Sequence, residues 1–158
     1  MRAAFALLVV SLVSCRKAQQ APANEMASHC ETGDGQGGCA LWGASLIELI
    51  ARPEQFDGKA VRVIGFVNFE FEGNGLYVSR NDWEHSIARN GVWIDPPSGF
   101  DSDSAPSRKS PNQEYVIVEG IFNAANRGHM GMWSGAIERV SRLEGWAPTA
   151  NIMKTTPR

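Results

Sequence analysis

The feature that most constrains the fold is a segment of eleven residues, from Val61 to Phe71, in which apolar side chains share every second position with a central glycine, Gly65. The apolar face of the segment carries Val61, Val63, Val67, Phe69 and Phe71. A period of two is the signature of a β-strand with one buried face. The glycine predicts a bend or a bulge, through which one strand can take part in both halves of a small barrel.

Four further strands are predicted after this one, each bounded by turn-forming residues. They comprise residues 76–79, 92–95, 115–122 and about 133–143. The polar connection from Asn81 to Arg89 is predicted to be helical, whereas residues 98–113, rich in Ser, Pro and Asp, are predicted to form an exposed loop. The pattern indicates a mainly β domain of five strands.

A short helix is predicted ahead of the strands. The segment from Ser45 to Glu48 has the Ser-x-x-Glu form of a capping box, and the helix is expected to end at Arg52, before a proline. Its apolar face carries Leu46, Leu49 and Ile50. A helix followed by five strands matches a five-stranded Greek-key barrel of the OB type better than a sandwich, which usually has about seven strands. Residues 44–146 are assigned to this barrel, and residues 147–158 to a C-terminal tail.

Short motifs mark these strands and the turns between them. They are Pro53-x-x-Phe56-x-Gly58-Lys59-x-Val61-Arg62-Val63-x-Gly65, Phe71-Glu72, Leu76-Tyr77, Asn90-Gly91-Val92-Trp93-Ile94-Asp95, Tyr115-Val116-x-Val118-Glu119-Gly120-x-Phe122, Gly128-His129-x-Gly131 and Ser134-Gly135. With these motifs, residues 45–143 resemble a family of small bacterial OB-like proteins of unassigned function. The resemblance implies the fold and carries no activity.

The N-terminus has the form of an export signal. An apolar stretch from Ala3 to Val13 is too short to cross about 30 Å of hydrocarbon as a helix, but it suits the core of a signal peptide. The stretch ends in Leu12-Val13-Ser14-Cys15, which resembles the lipobox of bacterial lipoproteins. An ordinary secretory signal is the alternative.

The lipobox resemblance implies that residues 1–14 are a signal peptide and that Cys15 becomes the first residue, carrying three acyl chains, palmitate among them. Three chains anchor a protein stably, whereas a single chain binds a membrane only marginally. The expected location is the cell envelope, facing the periplasm. Because Arg16 would stand in second position, the same resemblance favours the outer membrane of a Gram-negative organism.

The segment from Arg16 to Gly43 lacks periodicity and is predicted to be a flexible tether, so that residues 15–43 form a lipidated linker. With Cys15 lipidated, Cys30 and Cys39 remain as an even pair, which predicts a disulfide in an oxidising compartment. Closing so short a loop contributes about 2–3 kcal/mol by the chain-entropy model. A zinc site of His29, Cys30 and Cys39 is the alternative, although the gap of eight residues between the cysteines is not the usual zinc spacing.

Four residues are candidates for ligand binding. Tyr77 and Trp93 fall on the second and third predicted barrel strands, the face on which OB-type proteins stack bases or sugars. His129 and Trp133 fall in and beside the loop between the fourth and fifth strands, which such barrels also use for ligands. Packing into the core is the alternative for the aromatic residues, because aromatic side chains on short strands are commonly buried.

The same loop carries a candidate metal site. His129, Met130 and Met132 are soft ligands suited to monovalent copper. Alternatively, His129 orders the loop by hydrogen bonding to backbone, while Met132 and Trp133 pack over the end of the barrel. The tip of the first predicted hairpin carries Glu70 and Glu72, an acidic edge that would repel phosphates; a solvated turn is the alternative.

The remaining sequence features argue against catalysis and against nucleic acid. No Ser-His-Asp order, paired carboxylates in an apolar setting or phosphate-cradling loop is present. The formal net charge of −2 lacks the cationic excess of a phosphate-binding surface. The sequence therefore predicts a non-catalytic binding module for an envelope protein or a saccharide, without a cofactor. Metal binding by the His129 loop and, by fold analogy only, nucleic-acid binding are the alternatives.

Overall fold

The computed structural model describes residues 30–36, 38–100 and 111–146. The predicted signal peptide, the lipidation site Cys15, His29 and the tail 147–158 lie outside these residues. Within the described ranges, none of the helices has the length and apolar character needed to cross a membrane.

The described chain folds into strands and short helices. The strands are β1 (Cys30–Gly33), β2 (Cys39–Gly43), β3 (Ala60–Asn68), β4 (Gly75–Tyr77), β5 (Gly91–Ile94), β6 (Glu114–Asn123) and β7 (Ala136–Gly145). The α-helices are α1 (Leu46–Ala51), α2 (Pro53–Phe56) and α3 (Arg80–Glu84). Turns of 3₁₀-helix occupy Ala88–Asn90 and His129–Gly131.

Five of the strands close into a barrel. They are hydrogen-bonded in the order β3-β4-β5-β7-β6, and β6 returns to β3. The β5–β7 pair is parallel and the other pairs of the barrel are antiparallel. In this arrangement the first barrel strand contacts the second and fourth, and the third contacts the fifth, as in an OB-type Greek-key barrel. The predicted fold class is confirmed.

Strand β3 takes part in both halves of the barrel, as the alternating segment predicted. Its register with β6 is continuous from Ala60 to Val67, so Gly65 introduces no bulge there. The glycine is instead required by close packing, because a Cβ at this position would lie 2.6 Å from Leu46 Cδ1 and 2.9 Å from the Tyr77 carbonyl oxygen. The irregularity of the barrel lies in the β6–β7 pair, around Gly120.

The core fills the barrel with the inward side chains of β3 to β7 and with the apolar face of α1. Its most buried members include Leu49, Val61, Val67, Leu76, Val92, Ile94, Val116, Val118, Phe122 and Ile137. The predicted capping box begins α1: Ser45 Oγ accepts from the Glu48 backbone N–H, and the Ser45 N–H donates to Glu48 Oε2. The helix ends at Ala51, with Arg52 as its C-cap.

The prediction that Phe71 belongs to the buried face is wrong. Strand β3 ends at Asn68, and Phe71 is 91% exposed. The chain reverses directly after Phe69: the Gly73 N–H donates to the Glu70 carbonyl, and Glu72 takes a positive φ of 58°. Phe71 therefore lies at the tip of a turn, where the two-residue period of the strand no longer determines burial.

The predicted tether is also corrected in its described part, because β1 and β2 form an antiparallel hairpin. The predicted disulfide between Cys30 and Cys39 is present, with their Cα atoms 5.6 Å apart. Since both sulfur atoms are bonded, the alternative zinc site lacks its thiolates. Asp34 Oδ1 orders the turn by accepting from the backbone N–H groups of Gln36 and Gly38, each at 2.8 Å.

The hairpin is attached to the barrel by backbone pairing and by ion pairs. Strand β2 pairs in parallel with the first half of β3. Arg62 of β3 contacts the carboxylates of Glu31 on β1 and Glu119 on β6, and Arg142 of β7 contacts Glu119 at 3.1 Å and also Glu144. The folded unit thus includes residues from Cys30 onward, and does not begin at residue 44.

Candidate ligand-binding site

An aromatic layer covers the outside of the barrel over β3, β4 and β5. Phe66 points away from the core side chains of β3, and its cross-strand neighbours are Tyr77 on β4 and Tyr115 on β6. Phe66 is 2% exposed, Tyr77 5% and Trp133 1%, although none of the three belongs to the barrel core. Helix α3 and the loop before β7 bury these rings against the sheet.

The structure places the predicted aromatic ligands within this layer. Tyr77 and Trp133 are buried, but in this layer and not in the barrel core. Trp93 is half-buried: its ring centroid lies 5.0 Å from that of Trp133, edge to face, and its Nε1–H donates to Asp95 Oδ1 at 2.8 Å. Gly128 lies against the Trp93 ring so closely that a Cβ would be 2.6 Å from it. This face is therefore filled, and is not an open stacking platform.

Helix α3 is held against the layer by Asp82. Its carboxylate accepts from Ser79 Oγ at 2.5 Å and from Asn90 Nδ2 at 2.8 Å. The Ser79 hydroxyl and the Asn90 amide lower the pKa of Asp82, and burial opposes them only in part. The charged carboxylate fixes α3 between its N-cap and the following 3₁₀ turn. The Trp83 ring consequently lies 5.4 Å from that of Phe66.

Beside the layer lies a cavity of about 220 Å³, between the β3–β4 turn, the segment after α3 and the end of the His129 loop. We call it the aromatic pocket. Its lining includes the side chains of Tyr77, Trp83, Trp133, Met132, Glu70 and Glu72. The buried rings of Tyr77 and Trp133 and the half-buried ring of Trp83 form its walls, and the two glutamates belong to the exposed turn at its mouth. The geometry is that of a small site with a rigid aromatic interior.

The aromatic pocket is electrically negative. Its lining contains two carboxylates and no lysine or arginine among the described residues. Burial and the nearby charge of Glu70 raise the pKa of the Tyr77 phenol, and the Trp133 indole acts in the opposite direction. His129 Nε2 lies 3.5 Å from Glu72 Oε2.

Two buried polar groups lie behind the pocket. The side-chain amide of Asn68 has no partner within hydrogen-bonding geometry in the part of the chain that the structure describes, whereas the Trp133 indole N–H is next to the Tyr77 phenol and acts to lower its pKa. Asn68 is opposite Gly75 in the β3–β4 pair, and a Cβ on Gly75 would be 2.9 Å from Trp133 Nε1. A buried group without a partner is uncommon in native proteins and calls for an explanation.

The predicted copper ligands differ in their exposure. Met130 is 84% exposed with a positive φ of 52°, whereas Met132 is 42% exposed and lines the aromatic pocket. His129 is next to Glu72, as noted above. No group of three or more His, Cys, Asp or Glu side chains able to hold a metal occurs within residues 30–36, 38–100 and 111–146. Copper binding by His129 with the two methionines therefore stays a prediction.

Sequence reasoning missed Trp83. It is the sole apolar residue between Arg80 and Ser86, in a connection predicted to be a polar helix. The lone aromatic residue could have indicated this role, because an otherwise polar helix that packs on the domain must use its apolar side chain to do so.

Comparisons with protein-family models, curated proteins and solved structures gave no match. The likeness to small bacterial OB-like proteins and to lipoproteins stays a prediction from motifs, and the fold rests on the strand order described above.

Proposed function

We propose that the protein is a non-catalytic binding module, anchored to the cell envelope by lipid on Cys15, which binds its ligand at the aromatic pocket. The observation that carries this proposal is the pocket itself, with buried rings inside and a few polar groups at its mouth. Ligand sites are typically concave, mainly apolar and provided with a small number of orienting polar groups. The described residues that line the pocket include no histidine, cysteine or lysine, which favours binding over chemistry.

A partner protein is favoured over a saccharide. Phe71 lines the pocket and is 91% exposed, and a shallow groove beside the pocket is lined by Ile87 and Met130, which are 41% and 84% exposed. Met132 belongs to both depressions. Exposed apolar side chains grouped together mark protein-interaction surfaces, and methionines adapt readily to a partner. A saccharide remains the alternative ligand of this site.

The binding proposal is tested with the lipidated protein in detergent. Photo-crosslinking to partners from envelope extract and a glycan array are compared for the parent, Trp83→Ala and Trp146→Ala. Trp146 is 47% exposed and does not line the pocket, so it is the matched control. We expect Trp83→Ala to reduce ligand binding at least about tenfold, as truncation of a central aromatic residue commonly does. Equal binding by all three proteins would place the ligand site elsewhere.

Anchoring is tested separately. The intact mass of the protein from the membrane fraction should correspond to a chain that begins at Cys15 and carries three acyl groups. A Cys15→Ala variant should lose this modification and no longer be anchored by lipid. A native product that keeps Met1 and a free thiol at position 15 would refute the anchor without affecting the binding proposal.

Copper binding is a second candidate, favoured by the imidazole of His129 and the thioethers of Met130 and Met132 on one short loop, in which the Met132 N–H donates to the His129 carbonyl. Titration with copper(I) should give a complex that weakens at least about tenfold in His129→Ala, since a lost imidazole ligand is not replaced by alanine. His85→Ala is the control, because the His85 ring bonds the Asn81 carbonyl of its own helix. Equal affinity of both variants and the parent would exclude the His129 loop as the metal site.

A further inference from the structure

We infer that the aromatic pocket takes the positively charged alkylammonium group of its ligand, such as the side chain of a lysine on a partner protein. The inference rests on the proposed function, because it names the ligand chemistry of the same site. The juxtaposition that carries it is an aromatic interior, Tyr77, Trp83 and Trp133, with Glu70 and Glu72 at the mouth.

The aromatic interior suits a cation. The ring faces of tryptophan and tyrosine attract ammonium groups through their quadrupoles, and aromatic cages recognise alkylated amines in this way. The phenol of Tyr77 is kept neutral, because burial and the charge of Glu70 raise its pKa. The tightly packed neighbours of these rings, Phe66 and Trp93, preorganise the walls.

The charges around the pocket act in the same direction. Glu70 and Glu72 supply two carboxylates, and the two nearby arginines are engaged elsewhere, while His129 lies 3.5 Å from Glu72. Arg80 pairs with Glu84 at 2.8 Å, and Arg89 donates to the Trp133 carbonyl while lining only the neighbouring groove. An ammonium ligand thus meets carboxylates without competition from a resident lysine or arginine in the lining.

The size of the cavity restricts the ligand to a small group. A volume of about 220 Å³ is below the range of roughly 300–1,000 Å³ that is usual for drug-sized ligands, so one side chain or one small headgroup fits.

The test uses matched pairs of charged and uncharged probes on the ¹⁵N-labelled full-length protein, followed through the indole N–H resonances of Trp83 and Trp133. One pair is N-acetyl-lysine methylamide with N-acetyl-norleucine methylamide, and the other is choline with 3,3-dimethylbutan-1-ol. We expect each cation to bind at least about tenfold more tightly than its uncharged partner. A stronger response to the lysine probe supports a protein ligand, and a stronger response to choline indicates a headgroup as the source of the same ammonium chemistry.

The carboxylates are tested by the double variant Glu70→Gln and Glu72→Gln, which preserves shape and removes both charges. It should lose about tenfold in affinity for the cations and none for the uncharged probes. Glu84→Gln is the control, because Glu84 pairs with Arg80 and does not line the pocket. An unchanged NMR spectrum for residues away from the pocket shows that the variants are folded.

The outcomes separate this inference from the proposed function. Equal binding of charged and uncharged probes overturns the ammonium inference, and leaves the pocket as a binding site. Binding of a saccharide at the pocket, with no binding of any ammonium probe, also overturns the ammonium inference and leaves the pocket as a binding site. If no probe binds and Trp83→Ala also leaves partner capture unchanged, the proposed function fails together with the inference.

Discussion

Because Gly65 has no side chain, helix α1 and strand β4, which carries part of the aromatic layer, can pack closely against strand β3. A Cβ at this position would lie 2.6 Å from Leu46 Cδ1 of α1 and 2.9 Å from the backbone oxygen of Tyr77, a residue whose side chain lines the pocket. The backbone cannot move away as a flexible side chain can, because it belongs to the β3–β4 pair. We therefore expect substitutions here to be costly in spite of an ordinary strand conformation.

The variant Gly65→Ala should lower the free energy of unfolding by about 1–3 kcal/mol, the usual cost of overpacking a well-packed core. Gly33→Ala is the control, because the nearest atom to a Cβ there is 3.7 Å away, an ordinary contact distance. Urea unfolding followed by tryptophan fluorescence measures both. A Gly65→Ala protein as stable as the control would show that the barrel adjusts freely at this position.

Individual residues show where sequence reasoning holds and where it ends. Alternation correctly identified Val61, Val63 and Val67 as core residues, because they lie within one regular strand, and Phe69, one residue beyond its end, is also buried. It failed at Phe71, two residues further, because the reversal of the chain depends on turn conformation and on Glu72 in the left-handed region. The two-residue period predicts which side chains are buried only where the chain stays extended.

At the scale of elements, the disulfide hairpin is the part least accessible from the sequence. Its strands carry little apolar periodicity, and β1 is mostly exposed. The disulfide was predictable from the number of cysteines, whereas the pairing of β2 with β3 was not, because backbone hydrogen bonds leave no side-chain pattern. The helix α1, by contrast, was predictable in both limits from its capping box and from Pro53.

Replacing both cysteines by serine should make opening of the hairpin easier by about 2–3 kcal/mol, since the closed loop no longer restricts the open state. Hydrogen exchange measures this locally: the β1 and β2 amides should lose protection, while those of β6 and β7 keep theirs. Reduction of the parent should have the same effect as the double substitution. Equal loss of protection throughout the barrel would mean that hairpin and barrel unfold as one unit.

At the scale of the whole molecule, one carboxylate connects strands that are distant in sequence. Burial acts to raise the pKa of Glu119, but hydrogen bonds and charge from Arg62 and Arg142 outweigh it, and the net pKa is lowered from 4.5. A carboxylate with a lowered pKa stabilises the folded state when it is ionised. This stabilisation is complete above the unfolded-state value and disappears as the pH falls through the folded-state value.

The thermal unfolding midpoint should therefore fall as the pH is lowered from about 5 toward 3, and Glu119→Gln should reduce that slope. The variant should also be less stable than the parent at neutral pH, because Arg62 and Arg142 then lack their shared carboxylate. Scanning calorimetry at several pH values measures both effects. An identical slope in parent and variant would assign the acid sensitivity to other groups, Asp82 among them, whose pKa is also lowered, by Ser79 and Asn90.

The aromatic pocket also belongs to the scale of the whole molecule, and this explains why it was only partly predicted. Tyr77, Trp133 and the two glutamates were identified singly, and burial was the alternative given for both aromatic side chains. Their burial depends on α3 and on the loop before β7, which are brought together by long-range strand pairing. Sequence patterns describe neighbours along the chain, whereas the pocket is made by neighbours across the sheet.

The unpaired edge of strand β1 bears on whether copies of the protein aggregate when they are concentrated. In the described part of the chain it pairs on one side only, so its other side is an edge that could recruit a strand from a second copy. The strand is four residues long, shifts register at Thr32 and carries Glu31. Short length, irregular pairing and charge are the means by which natural sheets resist edge-to-edge aggregation, and here all three stand at the outermost strand.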